Sequence, residues 1–182
     1  MRIFICDEMV TTIHQNLDKM KSAVHQANDS NYEAYYIYSF ALFESAICEA
    51  VRHILLAFPE KINYKKIPQY ISQDLCENLL YPPGLSRIFE NFVHSEMKTI
   101  NKGDASKILM TAMDYCSINM TYDNKRLSDI SNKRNVITHE NTGSISKFYL
   151  KSLHESKQDV TFLCDILEEF ASSLEKKYGT YT

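Results

Sequence analysis

Residues 131–140 (Ser-Asn-Lys-Arg-Asn-Val-Ile-Thr-His-Glu) combine side chains that could do phosphate chemistry at a helical spacing. Arg134 offers a guanidinium that can clamp a phosphate through two parallel hydrogen bonds. Asn135 and His139 are i, i+4 partners, so a helix places an amide and an imidazole side by side. The imidazole is the side chain best suited to proton transfer near neutral pH. Together these residues predict a site for phosphate chemistry.

The same stretch has the pattern of the end of a helix, predicted over about 124–139. Leu127, Ile130 and Ile137 lie at i, i+3 and i+10 of an apolar stripe. Arg134 occupies the i+7 position of that stripe, where a leucine is expected. We therefore expect its guanidinium to point toward the interior.

Glu44 is a second charge on an apolar stripe, in a helix predicted to end near Phe58. The stripe consists of Ile37, Phe40, Ala41, Glu44, Cys48, Val51 and Leu55. A carboxylate in such a position is costly unless it is paired or neutralised. We expect it to pair with Arg134 across the bundle. The pair is interpreted either as part of a functional site or as a structural ion pair that fixes helix register.

His139 also has two interpretations. A helix-terminal imidazole is stabilised by the helix macrodipole without any further role, whereas the neighbouring Arg134 and Asn135 favour a role in chemistry. The other five histidines have no credible metal spacing with Cys, Asp or Glu, and the five dispersed cysteines form no C-x-x-C pair. The sequence therefore predicts no metal, no cofactor and a reducing compartment.

The motif Arg134-Asn135-x-x-x-His139 resembles the signature of the HEPN superfamily. These all-helical domains carry an Arg followed after four to six residues by a His, often with a polar residue directly after the Arg. The segment 40–46, which contains Glu44, is similar to the second helix of several HEPN families. The resemblance extends over about residues 7–58 and 124–178.

The resemblance implies a metal-independent endoribonuclease of toxin–antitoxin or antiphage systems, in which the motifs of two protomers meet in a dimer cleft. His139 would take the 2′-hydroxyl proton or protonate the leaving 5′-oxygen, and Arg134 would stabilise the phosphorane. Asn135 would orient the phosphate or the histidine, and Glu44 would act as an orienter. The implied partners are RNA, a second copy of the chain, and an antitoxin or other regulatory protein.

Two alternatives remain open. One is a HEPN-like dimerisation or regulatory module that binds nucleotide, RNA or a partner protein without catalysis, which Glu140 and the net charge of −3 favour. The other is a helical interaction domain in which Arg134 and Glu44 are only structural. P-loop nucleotide hydrolysis and serine-type acyl transfer are excluded, because neither motif is present.

Charge and composition set the remaining bounds. The excess of Lys and Arg over Asp and Glu in residues 121–151 gives a mild basic patch, from which Lys125, Arg126 and Lys133 are predicted to bind RNA. The four glycines and four prolines among 182 residues argue against a turn-dense β fold. With no signal peptide or membrane span in its pattern, the chain is predicted to be soluble and cytoplasmic.

The apolar periodicity predicts one all-α domain over residues 1–182, a HEPN-like bundle of four to five main helices with short additional helices inserted. Ser30-x-x-Glu33 is predicted to be a capping box for the second helix. Residues 59–118 are interpreted as a helical elaboration, with a short helix from Pro68 and another around residues 85–92. The main helices are predicted at about 7–27, 30–58, 124–139 and 156–177, with a short helix or turn at 144–152.

Overall fold

The computed structural model describes residues 2–58, 61, 82–100, 104–139 and 149–179. This part of the chain contains six helices and no strand, so the predicted all-α class is confirmed. No helix within it is long and apolar enough to span a bilayer. The helices are α1 (Arg2–Gln26), α2 (Tyr32–Ala57), α3 (Pro82–Ile100), α4 (Ala105–Cys116), α5 (Asn124–His139) and α6 (Leu153–Tyr178).

Helix α2 is the centre of the bundle, as its density of aromatic and aliphatic residues predicts. It packs against all five other helices, while α1 also packs against α6 and α4 against α5. Its largest buried side chains are those of Tyr36, Phe40, Phe43, Ile47, Ile54 and Leu55. Side chains of all six helices join these in one hydrophobic cluster.

The predicted core stripe of α2 is partly wrong. Ala41 is exposed, and Ile37, Glu44 and Cys48 are only half-buried, so these residues lie at the edge of the buried face. Phe40, Val51 and Leu55 of the predicted stripe are buried. The buried face also includes residues that the stripe leaves out, among them Tyr36, Phe43 and Ile47. A helix surrounded by neighbours is apolar over most of its circumference, so periodicity alone does not single out one stripe.

Helices α3 and α4 contribute more to the core than short elaborating pieces would. Residues 82–100 form one helix of 19 residues, longer than the predicted segment around 85–92. The prolines at its start cost little, because the first turn leaves its N–H groups unpaired in any case. Phe92, Met97 and Leu109 belong to the same hydrophobic cluster as the other helices. The predicted helix from Pro68 lies outside the described residues.

Two helix starts differ from the sequence prediction. At α2 the N-cap is Asn31, without a side-chain cap bond, so the predicted capping box is wrong. The Asn28 side-chain oxygen accepts hydrogen bonds from the backbone N–H and hydroxyl of Ser30, which draws Ser30 into a local turn. At α6 the Ser152 hydroxyl accepts from the Glu155 N–H at 3.2 Å. The helix therefore begins at Leu153 instead of Ser156.

Residues 149–152, the described part of the segment predicted as a short helix or turn over 144–152, are not helical. The rest of that segment lies outside the described residues.

Helix α5 has the predicted bounds and carries the motif. Asp123 caps it by accepting from the Arg126 N–H at 2.9 Å. Leu127 and Ile130 are fully buried, as the stripe predicts. The buried Ser131 hydroxyl accepts from the Ala105 N–H at 3.3 Å, which satisfies a donor in the first turn of α4. The N-terminal two thirds of α5 are thus fixed, and its last turn ends at His139.

Candidate functional site

The motif arginine and the acidic residue of α2 form the predicted pair. Arg134 Nη2 donates to Glu44 Oε1 at 3.0 Å, and 24% of each side chain is exposed. The Arg134 guanidinium carbon lies 4.6 Å from the centre of the Phe40 ring, which places the cation over an aromatic face. The prediction that these residues meet across two helices is therefore confirmed. The pair is half-buried and not enclosed in the core.

The pair is not fully satisfied. Burial raises the pKa of the Glu44 carboxyl above its usual value, and the nearby Arg134 counters only part of that effect. Arg134 Nε is inaccessible to solvent and has no hydrogen-bond partner among the described residues. A buried donor without a partner costs about 1–3 kcal/mol. The guanidinium therefore has hydrogen-bonding capacity that Glu44 does not use.

A cavity of about 470 Å³ opens beside this pair. Its lining comes from Arg134 on α5 and from α2, where Ala41, Glu44, Ser45, Cys48 and Glu49 contribute. The volume lies within the range of small-molecule sites. A nucleotide-sized anion that entered it would meet one cation and two carboxylates.

Asn135 and His139 lie elsewhere on α5, and both are exposed. His139 lies five positions after Arg134, which at about 3.6 residues per turn is a rotation of about 140° around the helix axis. His139 does not line the cavity beside Arg134. One chain thus brings Arg134 and Glu44 together, and Asn135 and His139 together as i, i+4 neighbours, but it does not join the two halves. Glu140 lies outside the described residues.

The three predicted RNA-binding residues have different environments. Lys125 is exposed. Arg126 donates to the Gln158 carbonyl oxygen at 3.0 Å and lies over the Phe162 ring at 4.3 Å. Lys133 is only 15% exposed, and its ammonium lies 2.6 Å from carboxylate oxygens of both Glu155 and Asp159. Lys125 is therefore the best placed of the three to meet a phosphate.

The partners of Lys133 were missed by the sequence analysis. Asp159 is buried in α6, and its Oδ2 also lies 3.4 Å from the hydroxyl of the buried Tyr36. That hydroxyl donates to the Ile130 carbonyl oxygen at 3.1 Å. The available signal was Asp159 itself, a carboxylate next to the apolar seam of α6, which includes Val160 and Leu163. The criterion that singled out Glu44 applies equally to Asp159.

Within the described residues, no group of three or more His, Cys, Asp or Glu side chains could hold a metal ion. Cys48, Cys116 and Cys164 are not in disulfide bonds. Burial raises the pKa of Cys48 to about 11, so this thiol beside the cavity is a poor nucleophile near neutral pH.

No family model, no curated protein and no solved structure matches this chain.

Proposed function

We propose that this protein is a metal-independent endoribonuclease, similar to HEPN ribonucleases, that acts as a homodimer in toxin–antitoxin or antiphage defence. The supporting observation is the state of Arg134. Its guanidinium is half-buried, lines a cavity and keeps a buried Nε donor without a partner among the described residues. The N–H groups that a guanidinium presents to a cavity can stabilise the extra negative charge of a phosphorane.

The proposed reaction is an internal transesterification. The 2′-oxygen of the RNA attacks the adjacent phosphorus, and the bond from phosphorus to the 5′-oxygen breaks. The 2′-hydroxyl loses its proton, and the leaving 5′-oxygen gains one. His139 performs one of these proton transfers, while Arg134 neutralises the phosphorane. Asn135 orients the phosphate or the imidazole, and Glu44 orients Arg134. The products are a 2′,3′-cyclic phosphate and a 5′-hydroxyl.

The position of His139 favours a site built from two chains. Arg134 and His139 are separated by about 140° around α5 and by about 7.5 Å along it, so they do not converge within one protomer. In a two-fold dimer Arg134 of one protomer can face His139 of the other, through an isologous interface near α5. We expect sedimentation of a dimer at micromolar concentration. A monomer whose sedimentation does not change with concentration would refute the composite site.

The central test is cleavage of total RNA in EDTA by the wild type and by His139→Ala. Loss of a general acid or base lowers the rate by about 10²–10⁴-fold. His25 offers a matched control, because it is also an exposed histidine in the last turn of a helix. We expect His139→Ala to lose cleavage and His25→Ala to retain it. Equal activity of the two variants, or wild-type cleavage that stops in EDTA, would contradict the proposal.

A second candidate function is a HEPN-like dimerisation or regulatory module that binds nucleotide or RNA without cleaving it. The hydrogen bond from Arg134 to Glu44 favours this alternative, because it neutralises part of the charge that a phosphate needs. The two functions differ in a single observable. The module would bind RNA through Arg134, and even the wild type, which has His139, would not cleave it.

A further inference from the structure

Lys133 is held by two carboxylates on a different helix. Its ammonium lies 2.6 Å from Glu155 Oε1 and 2.6 Å from Asp159 Oδ2. An ammonium has three donors, so two of them are committed to these contacts. Glu155 is fixed in turn, because its other oxygen accepts from the Lys151 N–H at 2.8 Å. The lysine is therefore anchored to a prepared receptor at the start of α6.

The charges in this group support one another. Burial opposes the charge of Lys133, but its hydrogen bonds to Asp159 and Glu155 outweigh burial and raise the pKa of the ammonium. Burial also acts against the charge of Glu155, yet the contacts with Lys133 and the Lys151 N–H lower the pKa of that carboxyl. A phosphate would have to displace carboxylates from Lys133. This makes Lys133 a poor contact for RNA.

The contact is the second link from α5 to α6, after that of Arg126 with Gln158 and Phe162. The backbone of α5 approaches α2 and α4 most closely. Lys133 and Arg134 are consecutive, so they leave the helix about 100° apart and reach two different neighbours. Lys133 extends to α6 and Arg134 to Glu44 on α2. Because contacts of Arg126 and Ser131 already hold the N-terminal part of α5, these two connections fix the rotation of its last turns.

Given the proposed ribonuclease function, we infer that Lys133 is a positioning residue, which fixes the rotation of α5 and thereby aims Arg134 and His139, and that it does not bind RNA. Removal of the contact loosens the last turns of α5, while Arg126 and Ser131 still hold its N-terminal part. Arg134 and His139 then move in opposite directions relative to the bundle, because they lie on different sides of the helix. Misplacement by about 1 Å can lower a catalysed rate by about 10²-fold.

The test compares Lys133→Met, Lys133→Arg and Lys125→Met. The first removes the anchor, the second keeps a cation that can bridge two carboxylates, and the third removes an exposed lysine from the same helix. Single-turnover cleavage rates, RNA affinity as a function of salt, and hydrogen exchange of backbone amides are measured for each. Lys21→Met is a further control, because Lys21 of α1 forms an exposed pair with Glu168 of α6.

We expect Lys133→Met to lower the cleavage rate by up to about 10²-fold while RNA affinity and its salt dependence stay at wild-type values. Because Asp159 loses its partner, exchange should rise somewhat in every helix, and the increase should be larger in α5 than in α1 and α2. Lys133→Arg should recover most of the rate. Lys125→Met should differ in both readouts: it should weaken RNA binding and lower the salt slope by about one, and it should leave amide exchange in α5 unchanged.

Three results would overturn the inference. A lower affinity and salt slope for Lys133→Met with an unchanged saturated rate would make Lys133 an RNA contact. An equal increase in exchange in all helices, with no recovery by Lys133→Arg, would reduce its role to global stability. Unchanged exchange in α5 would mean that Lys133 does not hold the helix. Absence of cleavage by the wild type would refute the ribonuclease proposal separately, and the exchange data would still decide whether Lys133 positions α5.

Discussion

The two sides of α5 make cross-helix ion pairs of opposite character. Toward α6, Lys133 meets two carboxylates, and Asp159 additionally lies near the Tyr36 hydroxyl. Toward α2, Arg134 makes one hydrogen bond to Glu44, and its Nε lacks a partner among the described residues. Burial affects both sides, yet the pKa of Glu155 is lowered and that of Glu44 is raised.

This difference separates an anchor from a site. A buried polar network in which each member has its partners rigidifies a structure and fixes one arrangement. In a pair with an unsatisfied donor beside a cavity, hydrogen bonds offset only part of the desolvation cost, and such groups often mark functional sites. We therefore assign the Lys133 side to positioning and the Arg134 side to ligand binding. Each prediction below tests that division, beginning with the largest expected effect.

Removal of Asp159 should cause the greatest loss of stability. The residue is 5% exposed, and Asp159→Ala leaves Lys133 with Glu155 alone and the Tyr36 hydroxyl with one acceptor fewer. Stranding a partner of a buried pair costs about 3–5 kcal/mol, and the remaining Glu155 contact places the loss near 3 kcal/mol. In a chain of this size that is a fall in melting temperature of about 6–12 °C.

Asp165→Ala is the matched control, because Asp165 is an exposed carboxylate on the same helix. Surface substitutions of this type change the free energy of unfolding by less than about 0.5 kcal/mol. Thermal melts of both variants at pH 7 make the comparison. Similar melting temperatures for the two variants would show that the anchor is not a stabilising network.

The Arg134 side should be far less important for stability than for activity. Arg134→Ala and Glu44→Ala should each lose about 1–2 kcal/mol, between the values for exposed and fully buried pairs. Arg134→Ala should also abolish RNA cleavage, and Glu44→Ala should reduce it. The double variant completes a cycle, in which we expect a coupling energy of about 1 kcal/mol.

Zero coupling would remove Glu44 from the site, although the two side chains lie 3.0 Å apart. A loss of stability at Arg134 as large as that at Asp159, with RNA cleavage intact, would reverse the division between anchor and site.

The sequence correctly predicts helices that bury only one face. In α5 and α6, apolar residues recur on one face, so the motif helix and the seam around Leu163 and Leu167 were predicted correctly. For α2 the stripe was rotated, because five neighbours bury most of its circumference. Two helix starts were predicted wrongly for local reasons. Before α2, the Asn28 side chain accepts a hydrogen bond from Ser30, so Ser30 does not cap the helix. In α6, the residue that caps the helix is Ser152.

The candidate site could be predicted only in part, and the reason is the range of the interactions. The Glu44–Arg134 pair follows from two charges on apolar stripes, since each charge requires a partner. The environment of Lys133 cannot be predicted from the sequence, because spacing within one helix does not show which helix packs against it. Its partners Glu155 and Asp159 are more than 20 residues away in the chain. A local charge count therefore cannot show that Lys133, predicted to bind RNA, is paired with these two carboxylates.

The smallest expected effect is a difference in the sign of two pH dependences. For Glu155 the folded-state pKa is lowered, so its contribution to stability is present above the unfolded pKa of about 4.3 and is lost as pH falls. For Glu44 the folded-state pKa is raised, so its contribution is present below the unfolded pKa and is lost as pH rises.

Melting temperatures of the wild type, Glu155→Gln and Glu44→Gln between about pH 3.5 and 7 measure this difference. The wild type should gain stability relative to Glu155→Gln as pH increases, because the charged carboxylate is the form that Lys133 binds. Relative to Glu44→Gln it should lose stability over the same range, because deprotonation places a charge in a half-buried position that Arg134 compensates only in part. Curves of the same sign would mean that Arg134 satisfies Glu44 as fully as Lys133 satisfies Glu155. The α2 side of α5 would then be a second anchor, with no unmet hydrogen-bonding capacity to offer a phosphate.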